Sequence, residues 1–290
     1  MDAAEKIYIK ITNEISNHAD RFNINLAKGE LWYRGEARMY DTTPSTFMRQ
    51  LPMGGPESSE LMIGTYIMMY ESWIYEKFSK ELLDKFPTLH ESLTKNGWDI
   101  VYYMQHYGIP TRFIDWTEDL NTALFFATEK ANTTNDDSVL WLFTPYEMNK
   151  LMYGEEWLKH PAEDKTYRDF VYAKMHGLEQ KIGAAISPHG LKSFATRDIE
   201  RLYSQYGHFV FIPKDYRDMR AYIDKISLEF PSSKDKLLSK IIIPNSKARL
   251  VNDYLTSIGC DKSNYKLDKE PFINPSDYTF ESLLETMNKK

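Results

Sequence analysis

Between Gln105 and Thr128 the chain runs QHYGIPTRFIDWTEDLNTALFFAT, gathering His106, Arg112, Asp115, Trp116, Thr117 and Glu118 around a helix-to-strand-to-helix passage. Convergent polar groups of this kind mark binding sites. An imidazole can exchange a proton near neutral pH or hydrogen-bond a ribose hydroxyl. A guanidinium holds a phosphate through two parallel hydrogen bonds, which a lysine cannot reproduce. Upstream, Tyr33-Arg34-Gly35 sets a second guanidinium beside a phenol, and downstream Gln205 precedes Gly207. These types suit cleavage of a bond between a nitrogen base and ribose. Positive charge develops on the sugar, so a site needs a carboxylate or amide dipole beneath it, a phosphate clamp and an aromatic surface. Arg34 would be the bidentate clamp, Arg112 a second one, and the helix N-terminus after Thr117 a weaker one. Tyr33, Tyr107 or Trp116 would offer stacking faces.

Each residue also has a plainer reading. Arg112 and Asp115 can form a structural ion pair, Trp116 can fill core, and Thr117 or Asp119 can cap the next helix. His106 at a helix end can bond the last carbonyls, and Glu118 in a first helical turn can serve the dipole. Asp115 can orient either Arg112 or His106. Gln205 can project into the cleft or simply satisfy backbone groups.

Other chemistries lose ground. The chain has no G-x-x-x-x-G-K-[ST] loop, no G-x-S-x-G elbow and no H-E-x-x-H or Cys/His ligand pattern among its seven histidines. The single cysteine, Cys260, rules out a disulfide framework and has no nearby histidine to activate it. Asp136 and Asp137 lie in a polar turn that needs no metal, and IMMYESW reads as core packing. A net charge of −6 argues against a broad basic face for non-specific nucleic-acid binding. No apolar run is long enough to span a bilayer, and the charged N-terminus is unlike a signal peptide, so a cytoplasmic setting is expected.

The elements that must position these groups follow from spacing. Ile7, Ile11 and Ile15 predict a first helix over 3–16. ELWYRGEA reads as a strand ended by Gly35 with Arg34 at its mouth, and TTPSTFMRQLPMGGPESS as an irregular loop. Apolar spacing predicts a long helix from Glu60 to Phe86, stopped by Pro87, and a second from Trp98 to Tyr107, closed by Gly108. TRFID is then a strand, WTEDLN a turn, TALFFATEKA a buried helix and DSVLWLFT a strand. Helical pieces are expected over 146–152 and 161–175, and TRDIERLYSQYG should be a helix leading into the strand HFVFIP. LLSKIIIP reads as a buried strand, NSKARLVNDYLTSIG as a capped helix, and the segment from Thr279 as a last helix. The expected class is α+β, with a mixed or antiparallel sheet and a helical insertion near 57–107 in one domain over 1–290. The motif-bearing core covers about 30–213. The extension over about 214–290 either joins the core sheet or forms an appended lobe.

The chain resembles the FRG domain family, named for an aromatic-Arg-Gly motif that here is Tyr33, Arg34, Gly35, running on to Pro44, Ser45 and Arg49. The family's second block, approximately Q-H-y-G-x-P-T-R-l-l-D-w-T before a small and aromatic helix, is matched by Gln105 through Ala127. Its third, roughly Q-x-G-x-F, appears as Gln205, Gly207 and Phe209. The first motif looks like that of arginine-type ADP-ribosyltransferases, in which the arginine grips the NAD phosphates and holds the strand pair flanking the nicotinamide. The resemblance implies a split sheet of that kind, Thr117 as the small hydroxyl residue of the second motif, and NAD as substrate. The glutamate central to the third motif is replaced, since Gln205 stands there with Glu200 further upstream. The implied catalytic residues are His106, Glu118 and Gln205, and the implied cofactor-binding residues are Tyr33, Arg34, Gly35, Arg112, Asp115, Trp116 and Thr117. The implied activity is ADP-ribose transfer or NAD hydrolysis, in a toxin or anti-phage effector with a macromolecular acceptor or antitoxin-type partner. The alternative is a non-catalytic module that holds a phosphate-bearing ligand or protein through the same arginine-lined cleft.

Overall fold

The computed structural model describes residues 2–40, 43–51, 60–87, 97–154, 156, 158, 185–186, 207–211, 218–262, 265 and 273–289. Its strands are β1 (Trp32–Glu36), β2 (Phe113–Thr117), β3 (Ser138–Phe143), β4 (Ala185–Ile186), β5 (Gly207–Phe211) and β6 (Leu238–Ile243). They form one six-stranded sheet in the order β4-β5-β2-β1-β3-β6, and every pairing is antiparallel. The helices are α1 (Ala3–Phe22), α2 (Thr46–Gln50), α3 (Glu60–Lys85), α4 (Trp98–His106), α5 (Leu120–Thr128), α6 (Pro145–Tyr153), α7 (Met219–Glu229), α8 (Lys234–Leu237), α9 (Asn245–Ser257) and α10 (Phe280–Asn288). The expected α+β class is observed. No helix among the described residues is long and apolar enough to cross a membrane.

Strand alternation divides the buried side chains between the two sheet faces. Trp32, Ile114, Trp116, Val139, Trp141, Phe143 and Val210 share one face with Met219, Tyr222, Ile223 and Ile226 of α7. The other face is covered by two separate clusters. Over β2 and β5, Phe113, Phe209 and Phe211 meet α3, α4 and Phe280 of α10. Over β1, β3 and β6, Tyr33, Leu140, Leu142, Ile241 and Ile243 meet α1, α5 and α9. Fully burying a side chain of this size contributes ~1.5–3 kcal/mol, so each cluster holds its own half of the sheet. The gap between the two clusters lies over the β1–β2 seam.

Local chemistry sets the element ends. Asp2 accepts from the Glu5 N–H at 2.8 Å to start α1, which runs past the expected boundary to Asn23, a left-handed residue with φ 52°. Ser45 caps α2, a short helix inside what the sequence suggests is only a loop, and the Phe47 N–H donates to the Thr111 carbonyl at 3.1 Å. Gly108 at φ +76° closes α4 as expected. Asp137 accepts from the Asn245 N–H at 2.9 Å, so the cap of α9 comes from the polar turn before β3 rather than from the helix's own sequence. The Tyr70 hydroxyl donates to the Tyr278 carbonyl at 2.6 Å and ties the C-terminal turn to the helical insertion.

Three expectations need correction. Strand β1 continues through Gly35 to Glu36, and β2 includes Trp116 and Thr117, which the sequence suggests are turn. The C-terminal extension, whose placement the sequence leaves open, contributes β6 to the core sheet, pairing with β3 along its whole length. As the terminal strand in the sheet order, β6 is not fully buried: Ile242 is 46% exposed. Helix α7 has no counterpart in the sequence reading. The expected helices at 161–175 and at TRDIERLYSQYG lie outside the described residues, as does Gln205.

Candidate functional site

Strand β1 pairs with β3 at five positions from Trp32↔Phe143 to Glu36↔Val139, and β2 pairs with β5 from Phe113↔Phe211 to Thr117↔Gly207. Between β1 and β2, the two middle strands, the pairing is Tyr33↔Thr117 alone. The sheet therefore consists of two three-stranded halves that meet at one rung and splay apart beyond it. Arg34 spans the opening: its Nη1 donates to the backbone carbonyl of Asp115 at 2.9 Å. Its Nε donates to Glu36 Oε1 at 3.1 Å, while Glu36 Oε2 accepts from the Trp141 indole at 3.0 Å. One guanidinium thus replaces the missing strand-to-strand bonds and is itself aimed by a fixed carboxylate. Its Nη2 makes no hydrogen bond among the described residues.

Gly35 explains how the cleft is closed from above. A Cβ on it would lie 1.8 Å from the Ala123 carbonyl oxygen and 2.6 Å from the Ala127 nitrogen. Helix α5 therefore crosses β1 at backbone contact, which only glycine permits here. The requirement is close packing, not the strand end expected from sequence.

The resulting cavity has a volume of about 330 Å³ and is lined by β1, β2, β5, α4 and α5, within the range of small-molecule sites. Tyr33, Arg34, Gly35, His106, Asp115, Trp116 and Thr117 all line it, so seven of the residues singled out from sequence converge. Burial, with smaller contributions from Asp119 and Tyr8, pushes the Tyr33 phenol up to about 12, so it stays neutral and can donate a hydrogen bond. His106 is half-buried at the end of α4, edge-on to Tyr107 at 4.9 Å. Thr117 Oγ1 accepts from the Asp119 N–H at 3.0 Å, and Asp119 caps α5 by accepting from the Thr122 N–H at 2.8 Å. That carboxylate occupies the helix N-terminus and withdraws it as an anion clamp.

Three sequence candidates stand elsewhere. Arg112 is fully buried away from the cleft, its Nε 2.8 Å from Glu71 Oε1 and its guanidinium 4.4 Å over the Phe211 ring. It is a structural ion pair, but with Glu71 rather than Asp115. Glu118 does not line the cavity; its carboxylate reaches His208 Nε2 at 3.0 Å. Tyr107 packs against the helical cluster, stacked on Tyr103. Gln205 lies outside the described residues.

The sequence reading missed several lining residues. Gln105 joins α4 to β2: its Nε2 donates to Asp115 Oδ1 at 2.8 Å, and its Oε1 accepts from Thr111 Oγ1. His208 stacks on Trp32 at 4.3 Å. Phe126 is the half-buried aromatic wall, and Lys130 rather than Arg112 is the second cation. Gln105 and His208 sit inside the recognised blocks, where position alone could have raised them. Phe126 also lies inside the block that ends at Ala127, whereas Lys130 carries no signal beyond helical spacing. No group of His, Cys, Asp or Glu among the described residues could hold a metal ion.

Residues 29–136 match the family model described as the FRG domain. No curated protein matches the chain, and no solved structure does. The matched segment contains β1, Gly35 and the whole Gln105–Ala127 block, so the splayed strands and the helix that crosses them belong to it. The chain carries an FRG domain over residues 29–136.

Proposed function

We propose that the splayed cleft binds NAD or a related nucleotide and that the protein transfers ADP-ribose from it or hydrolyses it. The observation that carries this reading is Arg34 bridging the single-rung seam between β1 and β2 while lining the cavity. A sheet of two halves hinged at one pairing fits an ADP-ribosyltransferase-like core. Arg34 and Lys130 supply positive points for a pyrophosphate in a chain that is otherwise acidic. Tyr33 and Phe126 supply apolar surface for a ring, and His106 a partner for a ribose hydroxyl. We place such a protein among toxins or anti-phage effectors that modify a macromolecular acceptor.

A second reading, a recognition module without turnover, is favoured by one fact: Glu36 and the Asp115 carbonyl already use part of Arg34's donor set. Incubation of the protein with labelled NAD and candidate acceptors, with Arg34→Ala in parallel, separates the two. Nicotinamide release or label transfer that disappears in Arg34→Ala supports the enzyme. Binding without release selects the recognition module, and neither binding nor release removes both nucleotide readings.

A further inference from the structure

Across the floor of the cleft, Tyr33, Thr117 and Gly207 form one row over β1, β2 and β5. Gly207 brings no side chain to this row. The next position of β2 on the same face is Asp115, and its carboxylate is held in an unusual way. Oδ1 accepts from Gln105 Nε2 at 2.8 Å, Oδ2 stands 3.9 Å from Arg34 Nη1, and the side chain is still 62% exposed. The Gln105 amide cannot turn over, because its oxygen accepts from the Thr111 hydroxyl, which in turn accepts from the Phe113 N–H at 3.1 Å. A carboxylate facing an amide requires the amide's N–H₂ side, so the two contacts fix one orientation. Glu129, the other acidic residue lining the cleft, is the C-cap residue of α5 and has no comparable brace among the described residues.

We propose that Asp115 is the catalytic carboxylate that faces the reacting ribose and that Gln105 is its positioning residue. The proposal rests on the NAD reading above. As the C1′–N bond breaks, its electron pair goes to the nicotinamide nitrogen, which becomes neutral. The ribose takes on oxocarbenium character, and the open oxygen of Asp115 stabilises that charge. A water or acceptor hydroxyl then bonds to C1′ and gives its proton to the carboxylate, which releases it to solvent. With water, NAD and H₂O yield ADP-ribose, nicotinamide and one proton, and no oxidant or metal is required.

The test measures nicotinamide release and NAD binding in the full chain for wild type, Asp115→Asn, Asp115→Glu and Gln105→Leu. Asp115→Asn is expected to lower release by about 100-fold or more, while NAD affinity stays within about threefold. Asp115→Glu keeps a carboxylate and should retain more activity than Asp115→Asn. Gln105→Leu should lower kcat by about 10-fold with KM and the stoichiometry of NAD binding unchanged, whereas loss of folded protein would lower that stoichiometry in proportion to the activity. If wild type cleaves NAD and Asp115→Asn does so within about threefold of it, the Asp115 assignment fails and the NAD reading stands. Equal activity in Asp115→Asn and Asp115→Glu, or equal loss of binding and release in Asp115→Asn, would also overturn the assignment. Wild type that neither binds nor cleaves NAD overturns both.

Discussion

Arg34 and Arg112 each meet a carboxylate, yet the regions around them are built for different ends. At the β1–β2 seam, Arg34 is 18% exposed, its carboxylate partner Glu36 is anchored by Trp141, and a further contact goes to a backbone carbonyl across a gap. Beneath α3, Arg112 and Glu71 are almost completely excluded from water, with Phe211 under the guanidinium. A pair sealed in this way cannot be offered to a ligand. Its attraction is offset by the cost of desolvation, and it fixes how the helical insertion sits on β2. The seam keeps a cation partly solvated and only partly engaged, as anion binding requires. Residue type is the same in both places, and surroundings decide whether it serves structure or a site.

The strongest way to test this contrast is to remove each charge. Arg112→Met leaves Glu71 buried without its Nε partner and should cost ~3–5 kcal/mol in denaturant unfolding. The double variant Arg112→Met with Glu71→Leu should recover most of that loss, and no recovery would mean that the pair is not the determinant. Gly35→Ala comes next. With a Cβ 1.8 Å from the Ala123 carbonyl, α5 must shift, at a cost of ~1–3 kcal/mol. Nucleotide binding should fall with it, and wild-type melting behaviour would refute the close crossing. Arg34→Lys, which also weakens the bridge across the seam, should cost ligand binding ~1.5–3 kcal/mol. That is roughly 10- to 150-fold in Kd, measured by titration, and equal affinity would argue against the clamp.

The smallest effect concerns alkaline pH. Burial first, then Asp119 and Tyr8, raise Tyr33 from 10.0 to about 12 in the folded state. The unfolded chain loses that proton first, so stability is full below about pH 10 and declines as pH rises toward about 12. Tyr33→Phe should make that decline shallower without changing stability at neutral pH. An unchanged alkaline slope would show that the phenol is not as enclosed as its surroundings indicate.

Much of the frame was legible because helix period and stop signals are local. The spacing through α3 with Pro87, the closure of α4 at Gly108 and the strand VLWLF depend on neighbours in sequence. The convergence of Tyr33, Arg34, Asp115 and Thr117 was legible through blocks whose order survives in one chain. Partner choice was not. Arg112 and Asp115 are close in sequence, but Arg112 stands just before β2 and meets Glu71 of α3 over the Phe211 ring, while Asp115 lies inside the strand and meets Gln105 of α4. Glu71, the real partner of Arg112, lies on a helix with no marker of its own. The role of Gly35 also depends on a helix almost ninety positions later, which no local rule anticipates. Gln105 was visible as part of a block, but its function as a brace requires both Thr111 and Asp115 in place.

The most direct test of the central claim is a crystal structure of the protein soaked with ADP-ribose. The predicted result is a pyrophosphate within hydrogen-bond distance of Arg34 Nη2, with the ribose between Asp115 and the Tyr33–Thr117 rung. Ligand bound elsewhere, with the cleft holding only solvent and Arg34 still bonded to Glu36 and the Asp115 carbonyl alone, would contradict it.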